Sequence, residues 1–451
     1  MKAGVEHLKA GTVVVGSGPG GATVARELVR RGRDVLVLER GANHKPLGNY
    51  ATLYRIVDRH DALTPHAVSV EGTSFGSFLT VGGCSIAFCG TAAPPHPMLK
   101  ERYGIDLAAY VAEATDELRL APLPERLIGE GAKRIRRAAR AEGLDWRPFS
   151  KFIDPDKCDL SMKCYAGCPS GAKWSARDYI EEVTAGGGRL RTHMRVEQVL
   201  VDGGRATGVR GTGRSGPFEV EAETVVLAAN GLGTAMILQA SGFPTAGQGV
   251  FVDPLITTYG TYAGPGSTHD IPMSCGTFDL LDEDIFMCDA WDPWPFLYLG
   301  LLTAGREHLS QNLGRMRRYP HCLGIMTKIK DRLNGSVGPD GQVSKPIEEE
   351  EKRLFARGSE IATRILTRAG CDPSSIFSTP PMGSNPSGTV RIGNLVDTDL
   401  RTEVPGLYVC DTSVLPEPDG LPPVLTIIAL GKRLVAEQLA NRRRAGGASV
   451  A

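Results

Sequence analysis

The 451-residue chain has no surplus of either charge: 51 lysines and arginines meet 51 aspartates and glutamates. A balanced surface gives no electrostatic footing for nucleic acid or an anionic membrane face, and neither is expected as a partner. No run of about 20 apolar residues occurs, so no direct membrane span is expected. The first apolar run is short and no small-residue cleavage site follows it, so a signal peptide is not indicated and the expected location is cytoplasmic. No internal repeat or long low-complexity linker divides the sequence. Histidine stops at His321, which leaves the C-terminal region without an imidazole to serve as a base.

Glycine, by contrast, is abundant at 55 residues. Near the start, Thr12 to Val15 reads as a strand, Gly16, Ser17, Gly18, Pro19, Gly20 and Gly21 as a turn, and Ala22 to Arg31 as a helix. In such a unit Gly16 permits the tight turn, Gly18 lets backbone approach a pyrophosphate, and Gly21 allows the helix to pack on the strand with its N-terminal N–H groups aimed at phosphate. A second strand, Asp34 to Leu38, ends at Glu39 and Arg40, where an acid is expected to grip ribose hydroxyls. Near the far end, Leu407 to Asp411 reads as a late strand closing on a carboxylate before a final helix. Together the two segments frame an FAD-binding, Rossmann-like domain.

The fold expected is α/β, or α+β over the whole chain, with that cofactor domain interleaved with a sheet-based substrate domain. Residues 1–99, 181–245 and 385–451 are assigned to the cofactor domain. Residues 100–180 form a substrate-side segment bearing a cysteine cluster, and 246–384 the substrate domain. In the first block Gly82, Gly83 and Ser85 sit in a small-residue run where backbone can approach a flavin. The aromatic stretch Trp291, Trp294, Phe296 and Tyr298 reads either as a pocket lining or as ordinary core.

These segments, in this order, resemble the glucose-methanol-choline (GMC) oxidoreductase family. The resemblance is strongest from Pro386, Gly388, Thr389, Arg391 and Gly393 through Asp411 to Thr426–Leu430. It implies that Asp411 contacts the FAD backbone, that Val196 lies near the adenine, and that Thr426 belongs to the cofactor site. The departures fall at the reacting end. Asn385 stands where many members place a catalytic histidine, Pro422 and Pro423 where they place a second histidine or asparagine, and Phe88 where an asparagine is common. Hydride transfer from an alcohol needs a base for the hydroxyl proton. Asn385 is expected to orient the substrate, and Asp419 is the first candidate base, ahead of Glu417 and His321. The missing histidines keep open a flavoenzyme with non-alcohol redox chemistry and, as a further alternative, a non-catalytic electron-transfer subunit.

The ten cysteines do not suggest disulfides in a reducing compartment. Cys158, Cys164 and Cys168, followed by Pro169 and Gly171, form a dense local run of the kind that ligates iron–sulfur clusters; zinc and purely structural roles compete. The run also resembles the 3Fe-4S segment of the family's iron–sulfur branch, typified by bacterial FAD-dependent glucose dehydrogenases. That resemblance implies a dehydrogenase taking hydride from a CH–OH donor and passing single electrons through the cluster to a cytochrome- or ferredoxin-like partner.

Overall fold

The computed structural model describes residues 4–58, 67–294, 297–298 and 309–439. Strand β1 (Glu6–Val15), helix α1 (Pro19–Val29) and strand β2 (Val35–Glu39) form the opening βαβ unit. Val13–Val15 of β1 and Val35–Leu38 of β2 are unbroken apolar runs because this part of β1 is central in the sheet, flanked by parallel β2 and by parallel Gly216–Leu227. The complete sheet has seven strands, and the late strand Leu407–Val409 joins it in parallel beside Gly216–Leu227. In register, Val15 faces Leu38 and Leu227, and Leu227 faces Val409. Four carboxyl ends therefore reach one edge, where open parallel sheets bind ligands.

Helix α1 is held on this sheet by packing and by buried charge. Arg26 makes bidentate bonds of 2.9 and 2.7 Å to Glu117 and a 2.7 Å bond to Glu182, while Lys432 reaches Glu113 at 2.8 Å and Glu117 at 2.9 Å. These contacts fasten α1 to helices Ala108–Glu117, Ala176–Ala185 and Val424–Leu434. Among the described residues, Glu27, Glu113 and Glu117 are the one trio of metal-ligand-type side chains whose atoms lie within 4.8 Å of one another. Lys432 bonds all three.

A second, nine-stranded sheet is built around Leu255–Thr261, Cys322–Ile329 and Ile285–Asp289, all antiparallel. Helix Glu349–Arg368 covers it, packing Phe355, Ile361, Ile365 and Leu366 against Ile256, Leu323 and Ile325. Ser74–Phe75 from the first sequence block and Arg147–Pro148 from the second both pair into this sheet, so the chain crosses between the two layers repeatedly. No described helix is long and apolar enough to cross a membrane.

Candidate active site

A cavity of about 370 Å³ runs along the carboxyl edge of the first sheet. Its nucleotide end is made by the glycine turn. Gly16 has φ +102°, and a Cβ there would stand 2.1 Å from the carbonyl oxygen of Ala228. A Cβ on Gly20 would stand 1.8 Å from the carbonyl oxygen of Cys410, and one on Gly21 2.2 Å from that of Gly16, so these two seat α1 against the sheet. Gly18, the N-cap of α1, differs: nothing lies within 4 Å of its would-be Cβ, and no side chain caps the helix. Bare backbone thus faces the cavity at a helix N-terminus, as an entering pyrophosphate requires.

Glu39 closes the same end. Its buried carboxylate accepts bonds from Ser17 Oγ at 2.6 Å, Ser17 N at 3.2 Å and Gly41 N at 2.6 Å; burial raises its pKa and those bonds oppose the rise. Ser17 Oγ in turn accepts from Gly82 N at 3.1 Å, and Ser85 Oγ donates to the Gly82 carbonyl at 2.5 Å. Gly82, with φ +95°, therefore braces the turn from behind, while Gly83 and Ser85 line the cavity together with Ser17, Pro19, Arg40 and Val196. Asp411 lines it too, accepting from Thr234 Oγ1 at 2.6 Å and Ser413 N at 2.8 Å; burial raises its pKa.

The expectation for Thr426 is corrected. It is buried and does not line the cavity; Pro423, Val424 and Ile427 do. Within Val424–Leu434, 424 and 427 share the face that meets the cavity, and 426 lies about 100° round from 427 on the flank packed into the interior. Asn230 also lines the cavity and went unassigned in the sequence. It has φ +70°, and its Oδ1 accepts from Leu232 N and Gly233 N. An asparagine opening a helix after a strand is the signal that marks it.

At the other end of the cavity lie Phe88, Asn385, Pro386, Thr412 and Pro423, and no described histidine lines any part of it. Asn385 Nδ2 donates to Asp253 Oδ2 at 3.3 Å, and Asp253 is paired with Lys328 Nζ at 2.9 Å. Asp419 stands back from the cavity, its Oδ1 accepting from Leu421 N at 2.9 Å. Burial pushes its pKa up to about 6, with Asp253 adding to the rise and Lys328 opposing it. The lesser base candidates are placed elsewhere: Glu417 is bound by Arg102 and Tyr103, and His321 is exposed. Trp291 is core, donating its Nε1–H to the Asp270 carbonyl and packing edge-on against Tyr165; Trp294 is exposed, and Phe296 lies outside the described residues.

The cysteine loop folds against the wall of this cavity. Cys158, Cys164 and Cys168 pack on one hydrophobic cluster, but their sulfurs do not gather within 4.8 Å as ligands of a single zinc ion would. A three-iron cluster assigns one thiolate to each iron and needs no such convergence. Burial pushes Cys164 up to about 12, and Lys173 and Lys151 oppose it. Both lysines are fully buried with no carboxylate in contact: Lys151 donates to Thr91 Oγ1 and the carbonyls of Pro272 and Met273, and Lys173 to the carbonyls of Ser85 and Ile86. Burial pushes Lys173 down to about 8 while Cys164, Cys168 and Cys89 hold it up. Two buried ammonium groups beside thiols suit an anionic, thiolate-bound centre.

Two family models, each described as GMC oxidoreductase, match residues 105–256 and 328–431 and together span more than half of the chain. The chain belongs to the GMC oxidoreductase family. A further model, NAD(P)-binding Rossmann-like domain, matches residues 14–63. Membership makes this GMC protein an FAD-dependent oxidoreductase. It is similar to an uncharacterized GMC-type oxidoreductase of Mycobacterium tuberculosis, 27% identical over 96% of this chain and 76% of the relative. It is also similar to a long-chain-alcohol oxidase of Arabidopsis thaliana, 24% identical over 94% of this chain and 66% of that one. The crystal structure of pyridoxine 4-oxidase from Mesorbium loti shares the fold, with TM-score 0.71, 16% identity and coverage of 95% of this chain and 99% of the other.

Proposed function

We propose that this GMC protein is a dehydrogenase that takes hydride from a CH–OH donor, an alcohol, sugar or polyol, and exports electrons through a 3Fe-4S cluster on Cys158, Cys164 and Cys168 to a cytochrome- or ferredoxin-like partner. The carrying observation is the linkage through Lys173. Its backbone N–H bonds Cys168 Sγ at 3.3 Å, its Nζ bonds the carbonyls of Ser85 and Ile86, and its ammonium lies 4.5 Å from the centre of the Phe88 ring, with Ser85 and Phe88 both lining the cavity. One residue thus joins the cysteine loop to the cofactor wall, supporting electron transfer from one to the other.

FAD supplies the two-electron acceptor, and the glycine turn, Glu39 and Asp411 are assigned to hold it. Asn385 orients the donor hydroxyl. Asp419, its pKa pushed up to about 6 by burial, is the assigned proton acceptor. A second reading, redox chemistry without an alcohol base, draws on the absence of a described histidine along the cavity.

The experiment is an absorbance spectrum of anaerobically purified protein with flavin, iron and acid-labile sulfide counted per chain. About one FAD and about three irons with matching sulfide, the iron lost in Cys164→Ser, is the expected result. Flavin without iron overturns the electron-export reading. Anaerobic bleaching by a panel of alcohols, sugars and polyols tests the donor class, and failure across the panel favours the second reading.

A further inference from the structure

Beside the reacting end of the cavity two distant segments run antiparallel. Phe251 and Ser387 exchange backbone bonds, and Ser384 N donates to the Val252 carbonyl at 2.5 Å. Each segment then carries a non-glycine residue in left-handed conformation, Asp253 at φ +50° and Asn385 at φ +29°. Both precede prolines, where sterics favour extended backbone. Such paired strain persists only where the surroundings over-determine it, and it gathers at functional positions.

The side chains show what is being held. Asp253 is 2% exposed and Lys328 3%. Asp253 Oδ2 receives both Lys328 Nζ and Asn385 Nδ2, while its Oδ1 is buried without a hydrogen-bond partner. Asn385 Nδ2 also donates to Ser384 Oγ at 3.1 Å. Both amide protons are therefore used on the protein side. A flipped amide would set its carbonyl against a carboxylate, so the ion pair selects one orientation. Asp331 and Asp419 are the other charged groups that act on Asp253, and Lys328 is its direct partner.

We propose that Asp253, anchored by Lys328, is a positioning residue that turns the carbonyl end of Asn385 toward the cavity, so that the site selects a ligand that donates a hydrogen bond over one that only accepts. A substrate hydroxyl meets this requirement and its carbonyl product does not. The hydroxyl preference rests on the alcohol reading above; the orientation of the amide does not.

The test uses flavin-loaded protein labelled with ¹⁵N-asparagine, with the Asn385 side-chain signal assigned by its loss in Asn385→Ala. In the natural protein its NH₂ protons should exchange slowly with solvent. In Asp253→Leu/Lys328→Met, which removes both charges and the acceptor together, the signal should shift and exchange about tenfold faster, as expected for one lost hydrogen bond. Rapid exchange in the natural protein, or a signal unchanged in the double variant, overturns the role of Asp253; the first outcome does not depend on the variant folding. A second readout is perturbation of the flavin spectrum by tert-butanol, which donates a hydrogen bond but has no hydrogen to give up as hydride, and by acetone. The natural protein should prefer tert-butanol by about tenfold and the double variant by less than about twofold. Equal binding, or no response to either probe, overturns the hydroxyl preference and counts against the alcohol reading, while the amide signal still judges Asp253 on its own.

Discussion

The two ends of the cavity are built from different materials. At the nucleotide end the work falls to backbone: Gly16, Gly20 and Gly21 leave no room for a side chain, and Gly18 leaves open space where one would stand. At the reacting end it falls to buried charge, with Lys328 on Asp253, Asp253 on Asn385, and Lys173 behind Phe88. A site of the first kind tolerates no added atom. A site of the second tolerates shape changes but not the loss of a single partner, because an uncompensated charge is left in the interior.

The sharpest break in this comparison comes from two neighbouring glycines. Gly20→Ala drives a methyl group into the Cys410 carbonyl and should abolish folding or flavin retention, read as loss of the 450 nm band and of the thermal transition. Gly18→Ala meets nothing in the protein, so the apoprotein melting temperature should stay unchanged while FAD affinity falls at least about tenfold. Next in size, Lys328→Met strands the buried carboxylate of Asp253 and should cost roughly 3–5 kcal/mol in denaturant unfolding. Pairing it with Asp253→Asn should recover much of that loss, whereas equal losses in the single and double variants would make the charge pairing irrelevant. The smallest effect concerns Asp419. Its folded pKa lies above the ordinary 3.8, at about 6, so the folded state binds the extra proton and stability declines as pH rises between those values. Asp419→Asn should therefore raise the melting temperature at pH 8 by a few degrees and leave it nearly unchanged at pH 4.

The same contrast explains what was legible in the sequence. The glycine turn, Glu39 and Asp411 are readable because their constraint is local: a strand, a turn and a helix must fit within a few residues, and the spacing records it. The GMC family and the α/β class follow from those segments. Thr426 failed because a helix has two faces and the motif alone did not say which one meets the cavity. Asp253, Lys328, Lys151 and Lys173 carried no signal, since a lysine read in sequence is a solvated surface charge by default. They acquire meaning only when antiparallel pairing brings residue 253 to 385 and when the cysteine loop lies against residues 85–88. Asn385 was legible as a departure from a pattern, but its partner was not.

The contact between Gly20 and the Cys410 carbonyl also bears on how the protein is made. The first βαβ unit leaves the ribosome long before the strand and helix that finish its ligand pocket, Leu407–Val409 and Val424–Leu434. A nascent chain therefore has no complete place for the nucleotide until those two segments have been made. Cofactor loading becomes a step taken after that point, and a product terminated before it would emerge colourless.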